Sequence, residues 1–322
     1  MKQTLAGVSR PTVNILRSMT FKKIVAASTI ATFLLITIGG LVRATKSGLG
    51  CGTDWPNCSG RLLPELADRA MVIEYSHRLV AGIVVLLLAA LAIQAFRTGQ
   101  SRPVRYASIG AFALVMFQAI LGMIVVVLEL QAVSVVLHLA TALSLLAVLL
   151  FIWLEVDEHD EAHDPRMARR ASVSAVAVLV LLLVGSYVSG RDAGYVFRDW
   201  PLFDGRLIPT LAVETEALHF LHRILAAITG VVLAFTLGPS MRRKARPRAA
   251  LFARVALVAF ILEIGIGAAN VFTRGNEVLV TLHLALGALI WSNVVAVALV
   301  TRPRTSVVSD HSIHQIAVLE GR

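Results

Sequence analysis

Four histidines lie inside long apolar stretches of this chain and fall into two matched pairs, His77 with His138 and His222 with His283. Their neighbours are mostly apolar, among them Leu79, Ala81, Leu137 and Leu139. One histidine in such a setting is equally well explained by a hydrogen bond between helices. Four of them in two equivalent pairs point to ligation. Imidazole binds zinc, copper or iron, but a closed zinc site gathers four ligands at one point, whereas each pair here offers two on separate segments. Two axial imidazoles in an apolar helical pocket describe a low-spin heme. Arg78 and Arg223 directly follow His77 and His222, and Arg61 and Arg206 stand in the polar segments before them. Guanidinium groups there suit the carboxylates of heme propionates, although snorkelling to a membrane interface accounts for any one of them. Glu74 precedes His77 by three residues and shares its helix face. An ionisable group at that depth is a functional candidate, either as a general base or stabiliser of positive charge beside the first heme, or as a carboxylate paired with Arg61 or Arg78.

The pairs belong to an internal repeat. Asp54-Trp55-Pro56…Gly60-Arg61-Leu62-Leu63-Pro64 recurs 145 residues later as Asp199-Trp200-Pro201…Gly205-Arg206-Leu207-Ile208-Pro209. The same shift carries His77-Arg78 onto His222-Arg223 and Leu137-His138-Leu139-Ala140 onto Leu282-His283-Leu284-Ala285. A repeat of this kind fixes architecture before any single motif does, and the two copies are expected to align without a gap. They differ at telling places: Glu74 stands opposite His219, Gln118 opposite Glu263, and Cys51 and Cys58 opposite Val196 and Phe203. His219 is an alternative ligand, but the repeat favours His222. Glu263 reads either as a proton relay or as a protonated acid hydrogen-bonded between helices. Cys51 and Cys58, the chain's only cysteines, are expected to form a disulfide on the oxidising side of the membrane.

Such residues need rigid elements to position them. With 57% hydrophobic and 16% charged residues and a mean hydropathy of +0.77, a soluble globular domain is excluded. Membrane-length apolar runs fall near residues 24–43, 71–95, 104–128, 132–154, 171–190, 214–238, 250–271 and 278–301. The expected fold is an all-α integral membrane protein whose eight transmembrane helices form two tandem four-helix bundles, related by a pseudo-twofold axis along the membrane normal. The divisions are a cytoplasmic tail (1–23), a first half (24–155), a polar linker (156–170), a second half (171–301) and a second tail (302–322). Basic residues cluster on one side, which places both termini in the cytoplasm, in a bacterial inner membrane by the simplest reading. The net charge of +10 is thus a topology signal and calls for no nucleic-acid partner. All four histidines then lie about 9 Å below the outer ends of their spans. Outer loops 44–70 and 191–213 hold the repeated Asp-Trp-Pro element and read as folded caps. His159 with His163, and His311 with His314, read as solvated polar chain.

The string Gly48-Leu49-x-Cys51…Asp54-Trp55-Pro56-x-Cys58-x-Gly60-Arg61-Leu62-x-Pro64, followed by Glu74-Tyr75-x-His77-Arg78 and the two Leu-His-Leu-Ala tetrads, resembles the heme A synthase family from the first span to the eighth. The resemblance implies oxidation of heme O to heme A for terminal oxidase biogenesis, a ring methyl becoming a formyl group through two hydroxylations and loss of water. It implies that the first half, with Glu74, His77 and His138, holds the substrate heme O. His222 and His283 would ligate a resident heme b that passes electrons. Cys51 and Cys58 match the family's first-loop cysteines, while a second pair found in some members is missing. The implied partners are a heme O synthase delivering substrate, an electron donor, membrane lipid and a second copy of the chain. Two alternatives are a quinol-oxidising diheme b cytochrome with bis-histidine sites and a transporter built from parallel repeats. A carboxylate in only one half speaks against the first, and histidines matched near one face, without broken helices, against the second.

Overall fold

Leucine, valine, isoleucine and alanine fill the stretches between charged clusters, and in an apolar surround such runs satisfy their backbone polar groups as α-helix. The computed structural model of the protein describes residues 10–61, 64, 68–157, 163–242 and 246–303. Eight α-helices occupy them: α1 (Arg10–Ala44), α2 (Arg69–Arg97), α3 (Arg102–Val127), α4 (Ala132–Val156), α5 (Pro165–Gly190), α6 (Glu214–Leu237), α7 (Pro247–Thr273) and α8 (Glu277–Thr301). All eight contain a segment long and apolar enough to cross a membrane. Local chemistry sets their starts. Asp68 accepts from the amides of Ala70 and Met71 ahead of α2, Asn276 from Val278 and Leu279 ahead of α8, and Asp164 from Met167 beside Pro165 at the start of α5.

Helices α1 to α4 pack in sequence, with α1 also against α4; α5 to α8 repeat the pattern, with α5 against α8. The two groups meet through α1 with α8, α4 with α5 and α4 with α8. One buried cluster joins Phe21 and Val25 of α1 to Leu88 and Leu91 of α2 and Leu149 and Ile152 of α4. Another joins Leu143 and Leu146 of α4 to Leu233, Ala256 and Val294. Ion pairs clasp both ends. At the loop end, Arg43 of α1 donates to the Ser189 carbonyl and stands 3.6 Å from Asp192, while Arg69 of α2 pairs with Glu277 of α8. At the opposite end, Arg302 pairs with Glu155, Arg248 with Asp157 at 2.7 Å, and Arg246 with Asp164 at 3.2 Å.

Two helices begin well before the expected apolar runs. Helix α1 begins at Arg10, inside the expected tail 1–23, because Phe21 is fully buried and draws its basic neighbours Lys22 and Lys23 into a helix on which they stay exposed. Helix α5 begins at Pro165, so part of the expected linker 156–170 is helical, with Arg166, Arg169 and Arg170 on its exposed face. His163 stands with Nδ1 2.9 Å from the Arg302 carbonyl. Among the described residues no group of three or more His, Cys, Asp or Glu side chains is gathered at one point as a metal site. Leu62, Leu63, His159, His311 and His314 lie outside the described residues.

Candidate functional site

Each histidine takes the same place in its copy of the repeat. His77 and His222 are the ninth residues of α2 and α6, and His138 and His283 the seventh residues of α4 and α8. At 1.5 Å per residue they lie about 12 and about 9 Å along their helices. The histidine-bearing helices are the diagonal ones of each group, since neither α2 with α4 nor α6 with α8 is closely packed. Space between diagonal helices is where bundle proteins house cofactors.

A glycine of the preceding helix underlies every one of these rings. A β-carbon built on Gly39, Gly122 or Gly267 would stand 3.3 Å from Cε1 of His77, His138 or His283 respectively, and one on Gly185 would stand 2.9 Å from Cε1 of His222. Any side chain there would displace the imidazole. Nδ1 of all four rings is buried without a hydrogen-bond partner. Buried polar atoms are rarely left so, and four at repeat-equivalent positions mark the rings as built for something other than packing. With Nδ1 against protein, Nε2 is the nitrogen left to face a ligand. The rings of His222 and His283 stand 6.4 Å apart, centre to centre, at 76°. Imidazole nitrogen meets a first-row metal at about 2 Å, so two rings on opposite sides of one ion are separated by roughly 6 Å. The second pair therefore fits a bis-imidazole iron.

Over each pair lies a cap, and the two caps share one backbone design. Both contain a cis Trp-Pro peptide, Trp55-Pro56 and Trp200-Pro201. Both close through a short bridge, Cys58 with Arg61 and Phe203 with Arg206, across residues of positive φ, Ser59-Gly60 and Asp204-Gly205. Their interiors differ. Cys51 and Cys58 form a buried disulfide in the first cap, whereas Phe197 and Phe203 meet edge to face at 5.1 Å in the second. This corrects two expectations. The buried counterpart of Cys51 is Phe197, not Val196, and the copies do not align without a gap. The offset is 146 residues at Lys46 and Asp192, both of positive φ, and 145 from Asp54 and Asp199 onward. The first cap holds one more residue between Cys51 and Asp54 than the second does between Phe197 and Asp199.

An arginine one residue after each α2 or α6 histidine pins its cap. Arg78 Nη1 donates to the carbonyls of Asp54 at 2.8 Å and Asn57 at 2.7 Å. Arg223 Nη1 donates to those of Asp199 at 3.1 Å and Leu202 at 2.9 Å. Below them the copies part again. Glu74, 3% exposed, takes Arg78 Nη2 on Oε1 at 2.5 Å and the Cys51 amide on Oε2 at 2.8 Å. In the second copy, Arg223 Nε donates to His219 Nε2 at 3.1 Å, and Arg223 Nη2 is buried without a partner. His219 is thus engaged with the cap arginine, and its ring lies against Phe197. Arg61 and Arg206 are exposed on their cap turns.

Further along the spans, Gln118 Nε2 donates to the backbone carbonyl of His138 at 2.8 Å, while Glu263 Oε1 stands 3.1 Å from His283 Nδ1. That oxygen is within hydrogen-bond distance, although Nδ1 makes no aligned hydrogen bond. In the second cap, Asp199 accepts the amides of Gly205 at 2.8 Å and Asp204 at 2.6 Å, and these backbone bonds hold its carboxyl below the usual range. The four glycines beneath the rings are site residues that the sequence reading missed. A signal was present in Gly122 and Gly267, which obey the same 145-residue shift as the histidines.

Comparison with known proteins agrees with this geometry. A family described as Cytochrome oxidase assembly protein matches residues 22–72 and 68–295. A heme A synthase of Halalkalibacterium halodurans is 28% identical over 80% of this chain and 89% of its own. One of Staphylococcus haemolyticus is 30% identical over 80% of this chain and 88% of its own. One of Geobacillus kaustophilus is 26% identical over 91% and 96%.

Proposed function

From the premise that the chain belongs to the cytochrome oxidase assembly protein family, we propose that it is a heme A synthase, oxidising a ring methyl of heme O to a formyl group. Two hydroxylations of that carbon and loss of water from the resulting geminal diol give the product. The eight helices then act as two four-helix bundles related by a pseudo-twofold axis along the membrane normal, in a bacterial inner membrane. Both termini are cytoplasmic and the caps lie on the outer face, as the basic clusters require.

In this reading His77 and His138 hold the substrate heme O, and His222 and His283 hold heme b. Heme b supplies a one-electron carrier at the second site when bound. The remaining work belongs to side chains. The glycines under the rings fix where each Nε2 points. The caps exclude water, and Arg78 and Arg223 hold them in place over the spans. Glu74 lies one turn before His77, with each carboxylate oxygen taking one hydrogen bond. Carboxylate oxygens accept more than one, so Glu74 remains able to receive a hydroxyl proton from the reacting carbon. Arg223, with Nη2 unpartnered, is the better placed of the two cap arginines to take a propionate; Arg61 and Arg206 are exposed candidates for the same role. Heme O arrives from a heme O synthase, and a separate electron donor supplies electrons.

The observation that carries this reading is the repeated histidine-on-glycine contact, four times over, in a chain of this family. Its test is pigment extraction from cells that supply heme O and express this chain. Heme A should accumulate with the parent protein and vanish with Glu74→Ala, which should keep its heme b. Undiminished heme A with Glu74→Ala removes Glu74 from the chemistry, and no heme A from the parent protein rejects the activity.

A further inference from the structure

Glu263 has no part in the reaction as described, yet it sits in the middle of α7 at an expensive place for a carboxyl group. The side chain within reach of it is the ring of His283, with Oε1 3.1 Å from Nδ1; Oε2 is buried without a partner. Its repeat counterpart is Gln118, 145 residues earlier. Gln118 spends its amide on the backbone carbonyl of His138, and its Oε1 is buried and unpartnered. Only the second pair, among the described residues, therefore sets a carboxyl oxygen beside the outer nitrogen of a ligand candidate.

With a metal on Nε2 the ring proton stands on Nδ1, and Glu263 Oε1, 3.1 Å away, is the oxygen within reach to accept it as the ring settles; an acceptor there fixes the tautomer. A carboxylate acceptor also makes the ligand more basic. Greater donation favours the oxidised iron and strengthens its bond to the ring. We propose that Glu263 is a positioning residue for His283, one that makes the second site hold its heme more tightly, and at a lower midpoint potential, than a Gln118-type neighbour would. The proposal rests on the reading of His283 as an iron ligand. It gives a physical reason for one site to retain its heme while the other exchanges substrate for product.

The test uses the purified full-length holoprotein. Midpoint potentials come from spectroelectrochemical titration, and heme loss from transfer to excess apomyoglobin. Glu263→Gln should keep a low-spin spectrum, shift the second-site potential upward and release that heme about 10- to 100-fold faster. Glu263→Asp should restore part of both properties, and Gln118→Glu should slow heme loss from the first site. A folded Glu263→Gln protein with parental potential and release rate overturns the proposal. His283→Ala separates the two levels of inference: if it retains a six-coordinate low-spin second heme, the ligand assignment itself is wrong.

Discussion

The two caps are one backbone design filled in two ways, and the difference separates what the fold needs from what each site needs. Common to both are the cis Trp-Pro peptide, the Gly-Arg turn and the arginine that ties cap carbonyls to the following helix. The contents beneath change together. The first cap combines a disulfide with the buried Glu74–Arg78 pair, and the carboxylate is fastened to the Cys51 amide. The second combines an aromatic contact with the neutral-acceptor pair His219 and Arg223. A carboxyl group stands one turn before the α2 histidine of the first pair, whereas in the second it lies behind a ligand candidate as Glu263.

The sharpest way to break this comparison is to remove ligands from one copy at a time. His222→Ala or His283→Ala should abolish the low-spin b heme of the purified protein. His77→Ala or His138→Ala should leave that heme in place and abolish heme A formation. Reduced-minus-oxidised spectra and extracted pigments read both, and a loss of b heme from the first-copy variants alone would reverse the assignment of the halves.

Next in size are the cap arginines, which occupy equivalent positions with unequal consequences. Arg78→Ala strands Glu74, 4% exposed in its side chain, and breaking such a buried pair costs about 3–5 kcal/mol. Arg223→Ala leaves a neutral imidazole and two carbonyls without a donor, at about 1–3 kcal/mol. Thermal unfolding in detergent should therefore rank Arg78→Ala as the less stable variant. Equal losses would mean that Glu74 is not held as a charge. Glycine substitutions follow. Gly185→Ala, whose β-carbon would stand 2.9 Å from His222, should cost about 1–3 kcal/mol of overpacking and lower heme b occupancy. Gly267→Ala, at 3.3 Å from His283, should cost less.

Particular residues show how far the sequence could be read. The helices were legible because aliphatic runs of bilayer length have one backbone solution, and the histidine pairs because His77 and His222, like His138 and His283, keep a constant spacing. Pairing of Glu74 with Arg78 was visible as a helical i,i+4 relation and stood as one of two open readings. What escaped depends on contacts between segments distant in sequence. Gly39 and Gly185 look like ordinary helix glycines until the histidine of the next helix is laid on them. The extra residue after Cys51 escaped because the segments before the Asp-Trp-Pro motif share little sequence, so nothing local reveals that Phe197 fills its place. Helix α1 extended beyond the apolar run because burial of Phe21 outweighs the polarity of Lys22 and Lys23.

The smallest effect expected is also the one that compares the caps most directly. In the second cap, Asp199 gathers the amides of Asp204 and Gly205, while the first is closed by a covalent bond. Because those amides favour the ionised form, the Asp199 carboxyl titrates below its ordinary range in the folded protein. A depressed carboxyl contributes stability above its unfolded value, about 3.9, and loses it as pH falls through the lower folded value. Acidification through that window should loosen the second cap and spare the first. Susceptibility of the Arg206 and Arg61 peptide bonds can be read after brief acid exposure with an acid-tolerant protease, and cleavage near Arg206 should rise modestly, roughly a few-fold. Asp199→Asn, which keeps a weaker acceptor but cannot ionise, should flatten that pH response. A response that survives in Asp199→Asn would mean that the Asp199 bonds do not carry the acid sensitivity of the second cap, and the two caps would then differ in one device, disulfide against aromatic contact, instead of two.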